Sequence, residues 1–126
     1  MTTRNVAKNE SSVEVIDCEQ LLLNFQGMED VLYDIIQKFL SDSPKMLKRV
    51  REAVIKQDSK ELEISAHSLK GAVSNFHNEQ SFVLARTLEQ MGRSRVFTNA
   101  DGLLENLDTS LSEMSDALNT LARSLK

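Results

Sequence analysis

His67 stands three residues before Lys70 and four before Gly71, inside Ala66-His67-Ser68-Leu69-Lys70-Gly71. In a helix those spacings put all three on one face. The face then carries a nucleophile, a cation and a bare patch of backbone side by side, which is what a histidine needs to accept a phosphoryl group from another protein. Neutral imidazole has a reference pKa near ~6.5, so much of it is available as a nucleophile at physiological pH. Lys70 can reach back one turn and offset the charge of an attached phosphoryl group. Gly71 costs about 1 kcal/mol against alanine in a helix interior, and close approach of a partner next to His67 supplies a reason for it. Each residue has an ordinary reading too: a surface histidine, a solvated lysine, a glycine that lets two helices pack closely.

The same face continues through Lys60, Glu63, Ile64, Ser68 and Ser74. Ile64 flanks the histidine from the preceding turn, and an exposed apolar residue beside a polar reactive group suits docking. Ser68 and Ser74 are further candidate contact residues.

The elements that must hold this face are legible from periodicity. Asp17 with Gln20 reads as a capping box for a short helix that stops near Gly27. Leu32, Ile36, Phe39, Ser43, Met46, Val50 and Val54 follow steps of three and four. Their phase crosses Pro44, which predicts one kinked helix over about residues 29 to 57 rather than two in line. The histidine helix starts near Asp58-Ser59, with an inward seam of Leu62, Ala66, Leu69, Val73 and Phe76. His67 lies about 100° round from Ala66, at the edge of the exposed face. The helix is expected to end near Phe76-His77-Asn78, since histidine and asparagine tolerate a left-handed turn. A fourth helix spans about Glu79 to Arg93, with Leu84, Leu88 and Met91 inward and a stop at Gly92 or Ser94. The last starts near Thr98, paired with Asp101 as a capping box, and its seam is Leu104, Leu107, Leu111, Met114, Leu118, Leu121 and Leu125. The predicted fold is all-α: an antiparallel up-down-up-down four-helix bundle with a short extra N-terminal helix. Residues 1–13 are polar and aperiodic and are expected to form a flexible tail, leaving 14–126 as one bundle domain.

Composition narrows the function classes. The chain has 126 residues, 40% hydrophobic and 27% charged, with a single proline and four glycines. A net charge of −4 argues against nucleic acid as the main partner. The one cysteine, Cys18, leaves no partner for an internal disulfide and fits a reducing compartment. No apolar run approaches the roughly 20 residues of a membrane span, and the polar N-terminus lacks a signal-peptide core. A cytoplasmic monomer is the expectation.

His67-Ser-Leu-Lys70-Gly71-Ala-Val-Ser-Asn-Phe resembles the signature of histidine-containing phosphotransfer (HPt) domains, roughly His-x-Leu-Lys-Gly followed by small residues. Leu84-Ala85-Arg-Thr-Leu88-Glu89-Gln-Met-Gly-Arg93 resembles the family's next helix, and the likeness extends over about residues 15 to 125. It implies a four-helix bundle whose histidine, here His67, relays phosphoryl groups to and from receiver-domain aspartates. Lys70 and Gly71 match the family's phosphate-stabilising lysine and its small neighbour. Glu89 and Arg93, one turn apart, are placed to face His67 with Arg86 nearby; a basic residue at the position of Arg93 helps hold the phosphorylated state in some members. An ordinary intrahelical ion pair is the alternative for Glu89 and Arg93. The family usually has glycine ten residues after the histidine, where this chain has His77, a departure that bears on the turn. A metal site from His67 and His77 is not expected, because nearly three turns separate them and no ligand cluster accompanies them.

The implied reaction is phosphoryl transfer with attack through the ring nitrogen far from the backbone, over a docking surface of Ile64, His67 and Gly71. Partners would be receiver domains of response regulators and a sensor or hybrid histidine kinase. No cofactor is expected, and any Mg²⁺ would come with the receiver. The chain lacks a glycine-rich nucleotide loop, so it is expected to be a phosphotransfer intermediate without ATP-dependent kinase activity. Two other readings share the fold: a non-catalytic helical adaptor that binds a signalling partner through the same face, and a fragment of a larger sensor kinase.

Overall fold

The computed structural model describes residues 15–126; the expected tail at 1–13 lies outside them. Five helices follow in order: α1 (Cys18–Asn24), α2 (Glu29–Lys56), α3 (Ser59–Ser74), α4 (Glu79–Ser94) and α5 (Ala100–Leu125). α2 packs on α3 and α5, and α4 packs on α3 and α5, so the four longer helices close an up-down ring. The two long members flank a shorter α3–α4 hairpin that carries the histidine.

Local chemistry sets most boundaries. The Asp17, Asp58 and Asn78 side chains each accept a hydrogen bond from the backbone N–H three residues on, at 3.0, 3.1 and 2.7 Å. Such a cap contributes about 1 kcal/mol. Only half of the capping box at Asp17 forms, because the Gln20 amide bonds Asn24 instead of reaching back. α2 runs unbroken through Pro44. Pro44 faces outward, so the hydrogen bond it removes falls on the outer side, and Phe39, Ser43, Leu47 and Val50 stay in register on the core side. α2 ends where Gln57 turns left-handed (φ 52°).

The seam of α3 is buried as expected at Leu62, Ala66, Leu69, Val73 and Phe76. Its regular turns stop earlier, at Ser74, and His77 then adopts φ 58°. The imidazole side chain thus accepts the left-handed conformation that a glycine gives more freely, and Asn78 behind it caps α4. Asn78 is buried; it bonds the Val15 carbonyl, and its Oδ1 also accepts from Ser110 of α5. One residue therefore ties the segment before α1, the α3–α4 turn and α5 together.

Several positions differ from the sequence expectation. Met46 is only half-buried, and Leu47 takes its place in the core. On α4, Leu84 and Met91 are half-buried, while Ser81, Ala85, Leu88, Glu89 and Gly92 face inward. Leu125 is half-buried at the fraying end of α5. Gly92 does not stop α4. The helix continues to Ser94, and Arg95 makes the left-handed exit at φ 61°. Gly92 instead lies where α4 meets α3: a Cβ there would fall 2.5 Å from the Glu63 amide nitrogen and 2.8 Å from the Ser59 carbonyl oxygen. α5 begins at Ala100 rather than Thr98, with no side-chain cap from a Thr98–Asp101 box. Asn99 goes left-handed there (φ 64°), and its side chain folds over Gly102, where a Cβ would meet its Oδ1 at 2.7 Å.

Candidate functional site

His67 sits midway along α3 with its side chain 67% exposed. The seam residues Ala66 and Leu69 on either side point inward and hold the helix, which leaves the imidazole on the rim facing α4. Directly beneath it lies Glu89, whose side chain is only 5% exposed. Glu89 Oε2 is 2.8 Å from His67 Nδ1 and 3.3 Å from Arg93 Nη2, and its Oε1 is 2.7 Å from Lys70 Nζ. One buried carboxylate thus gathers the three basic groups of the site.

An ionised carboxylate can only accept. The His67 Nδ1–H therefore donates to Glu89, and Nε2 keeps its lone pair on the exposed side of the ring. Glu89 is held in the charged form. Burial pushes its pKa up, but the hydrogen bonds from Lys70 and His67, with the positive charge of Lys70 and that of the His67 ring when protonated, outweigh that and bring it below the usual carboxylate range. A buried carboxylate is tolerated when it is paired and hydrogen-bonded in this way.

Gly92 explains how the carboxylate gets there. Its contact with Glu63 lies one turn from the contact of Glu89 with His67, and the close backbone approach pulls α4 against α3 at this level. Arg93 adds a second link across the same gap, with its Nε 3.1 Å from Glu63 Oε2. With neutral imidazole, Lys70 and Arg93 balance Glu63 and Glu89.

The structure distributes the other sequence candidates around this centre. Ile64 is exposed one turn before His67. Gly71 is exposed, and a Cβ there would meet nothing within 4 Å, so no intramolecular packing explains the glycine. The close-packing glycine is Gly92 instead. Ser68 and Gly71 border an apolar groove against α2, lined also by Ile35, Phe39, Met46 and Ala72. Ser74 turns inward to its own helix, donating to the Gly71 carbonyl at 2.7 Å. Arg86 stacks on the Phe82 ring and takes no part in the carboxylate cluster. Lys70 also departs from the simple expectation: it is engaged by Glu89 rather than extended beside the imidazole.

Sequence reasoning missed Glu63 as a partner of Arg93 and the contribution of α2 to the groove. Neither is visible in local spacing, since both contacts cross between helices. Among the described residues no group of three or more His, Cys, Asp or Glu side chains is placed to hold a metal ion. No helix among them is long and apolar enough to cross a membrane.

The model of the Hpt domain family matches residues 34–121, more than half of the chain and all of the site. The chain belongs to the Hpt domain family, whose members work with histidine kinases and response regulators, and its role is phosphotransfer within a phosphorelay. Neither the curated proteins nor the solved structures yield a match.

Proposed function

We propose that His67 is the residue phosphorylated in this relay, receiving a phosphoryl group from a receiver-domain aspartate or a sensor kinase and passing it to another receiver domain. The observation that carries this reading is the oriented imidazole: Nδ1 is tied to a buried carboxylate at 2.8 Å while the ring itself is exposed. The tautomer that results presents Nε2 as the nucleophile. That lone pair attacks phosphorus in line, the bond from phosphorus to the donor oxygen breaks, and its electron pair leaves with the donor carboxylate. Phosphoryl transfer depends chiefly on positioning and electrostatics, which suits so sparse a site.

A phosphoryl group on Nε2 brings about −1.5 to −2 of charge to a balanced cluster. Lys70 and Arg93 are the cations in reach to meet it. Gly71 and Ile64 form the floor on which the partner's active-site loop rests, and Ser68 leads from it into the groove shared with α2. We place the protein in the cytoplasm, as Hpt proteins generally are, and read it as a monomer, since its apolar seams are satisfied within one chain.

The test is transfer from prephosphorylated receiver domains, followed as acid-labile, base-stable phosphate on this protein. His67→Gln is expected to abolish labelling while circular dichroism and the unfolding midpoint stay close to wild type. Labelling that persists in the variant would move the reaction to another residue. Binding without labelling of the wild type would favour the adaptor role.

A further inference from the structure

The outward side of α2 carries positive charge that the fold does not use. From Pro44 to Lys56 there are five cations, Lys45, Lys48, Arg49, Arg51 and Lys56, against one carboxylate, Glu52, a net +4 in a chain whose net charge is −4. Arg49 is paired with Glu61 of α3 and Arg51 with Asp108 of α5. Lys45, Lys48 and Lys56 are exposed and form no ion pair among the described residues. Lys48, Arg49 and Lys56 follow Lys45 by three, four and eleven residues, so all four point to one side of the helix. Like charges three and four residues apart repel, so the row opposes the helix that carries it. Glu52 and the bond from Arg49 to Glu61 relieve only part of that cost.

The row borders the candidate site. Met46, next to Lys45, lines the groove shared with Ser68 and Gly71. Arg49 reaches Glu61, which stands less than two turns before His67 on α3. Lys45 and Arg49 therefore run along the α2 edge of the surface made by Ile64 and Ser68. On the opposite edge the charges of Lys70 and Arg93 are answered by Glu89 and Glu63. We propose that the α2 row selects the partner: the receiver domain that docks over His67 presents a cluster of carboxylates to α2, apart from its own reactive aspartate, and Lys45, Lys48, Arg49 and Lys56 meet that cluster. This rests on His67 being the phosphorylated residue. Exposed charges of opposite sign speed encounter and reject like-charged competitors, while adding less to the docked complex. A receiver with a neutral or basic face toward α2 gains no such help.

The test compares wild type with the double variant Lys45→Glu/Lys48→Glu. The probe is a prephosphorylated receiver domain with an acidic surface beside its aspartate that transfers to the wild type. At about 20 mM salt the second-order transfer rate of the variant is expected to fall about tenfold, and the gap to close as salt rises to about 0.5 M and screens the charges. Changing the receiver's carboxylates to lysine is expected to restore transfer to the variant. Equal rates at low salt, or a loss of the same size at every salt concentration, would overturn the proposal. Phosphoramidate, a small donor that needs no docking surface, is expected to label both proteins equally, since neither lysine approaches the imidazole. Loss of that labelling in the variant alone would mean that the substitutions damage the site, and would overturn the proposal too. Retention of the wild type by duplex DNA, lost in the variant while transfer is unchanged, would give the row to nucleic acid instead. Failure of phosphoramidate and of every receiver to label the wild type would remove the phosphotransfer reading on which the proposal stands.

Discussion

Gly71 separates two reasons for a helical glycine. Bare backbone inside a helix is a local cost, so it persists where something must come close. At Gly71 the protein itself supplies nothing within 4 Å of a would-be Cβ. Gly71→Ala is therefore expected to raise stability by about 0.5–1 kcal/mol, the propensity difference alone. Denaturant unfolding measures this directly. Gly71→Gln is expected to leave the fold intact and slow transfer from a receiver domain, because the longer side chain covers the surface beside His67. Unchanged transfer kinetics in Gly71→Gln would rule out that contact. The residue scale also sets the division around His67: on the proposed function the exposed ring meets the partner, while the buried Glu89 bonds its Nδ1.

The α3–α4 hairpin is the element that assembles the site. Its two helices are joined through the left-handed His77 and the cap at Asn78, and they come closest where Gly92 meets Glu63 and Ser59. A methyl group at Gly92 would press into backbone atoms at 2.5 and 2.8 Å, and backbone cannot swing aside as a side chain does. Gly92→Ala is expected to cost about 1–3 kcal/mol through overpacking, against a smaller gain in helix propensity. It should also widen the α3–α4 gap and weaken the bond from His67 to Glu89. Chemical denaturation together with the ¹⁵N tautomer signal of His67 checks both effects. A variant as stable as wild type with an unchanged tautomer would show that the helices adjust freely.

Across the whole molecule, the charge of Glu89 ties the candidate site to acid stability. Its folded pKa lies below its unfolded value, with burial opposing and the Lys70 and His67 hydrogen bonds prevailing. The unfolded chain therefore binds more protons over the interval between the two values. The stability contributed by this group is fully present above the unfolded value of about 4.3 and is lost as pH falls through the folded one. The difference in unfolding free energy between wild type and Glu89→Gln is expected to shrink below about pH 4. Urea titrations at neutral pH and on both sides of that value provide the measurement. A difference that stays constant across the series would mean that Glu89 carries no depressed pKa in the folded state.

The sequence by itself determined the helices, most of their core seams outside α4, and which residues share a face with His67. Each of these is written in local spacing: Leu62, Ala66, Leu69, Val73 and Phe76 recur at the helical period and are buried, and His67, Lys70 and Gly71 fall on the adjoining surface. A cap was legible where the residue bonds three positions onward, as at Asp17, and the start of α3 was legible at Asp58, whereas Asn78, read as part of a C-terminal turn, caps α4 instead. At Thr98–Asp101 the pattern was present without the bond, because Asn99 folds over Gly102 and moves the start of α5. Tertiary structure alone decided which of Gly71 and Gly92 serves packing, since that depends on what lies opposite each glycine. It alone decided that Glu89 is buried beneath His67 and shared with Lys70 and Arg93. The bonds of Glu89 to His67 and Lys70 join positions on two helices, and only the packing of α3 against α4 brings them within hydrogen-bond reach; its bond to Arg93 lies within α4, one turn along.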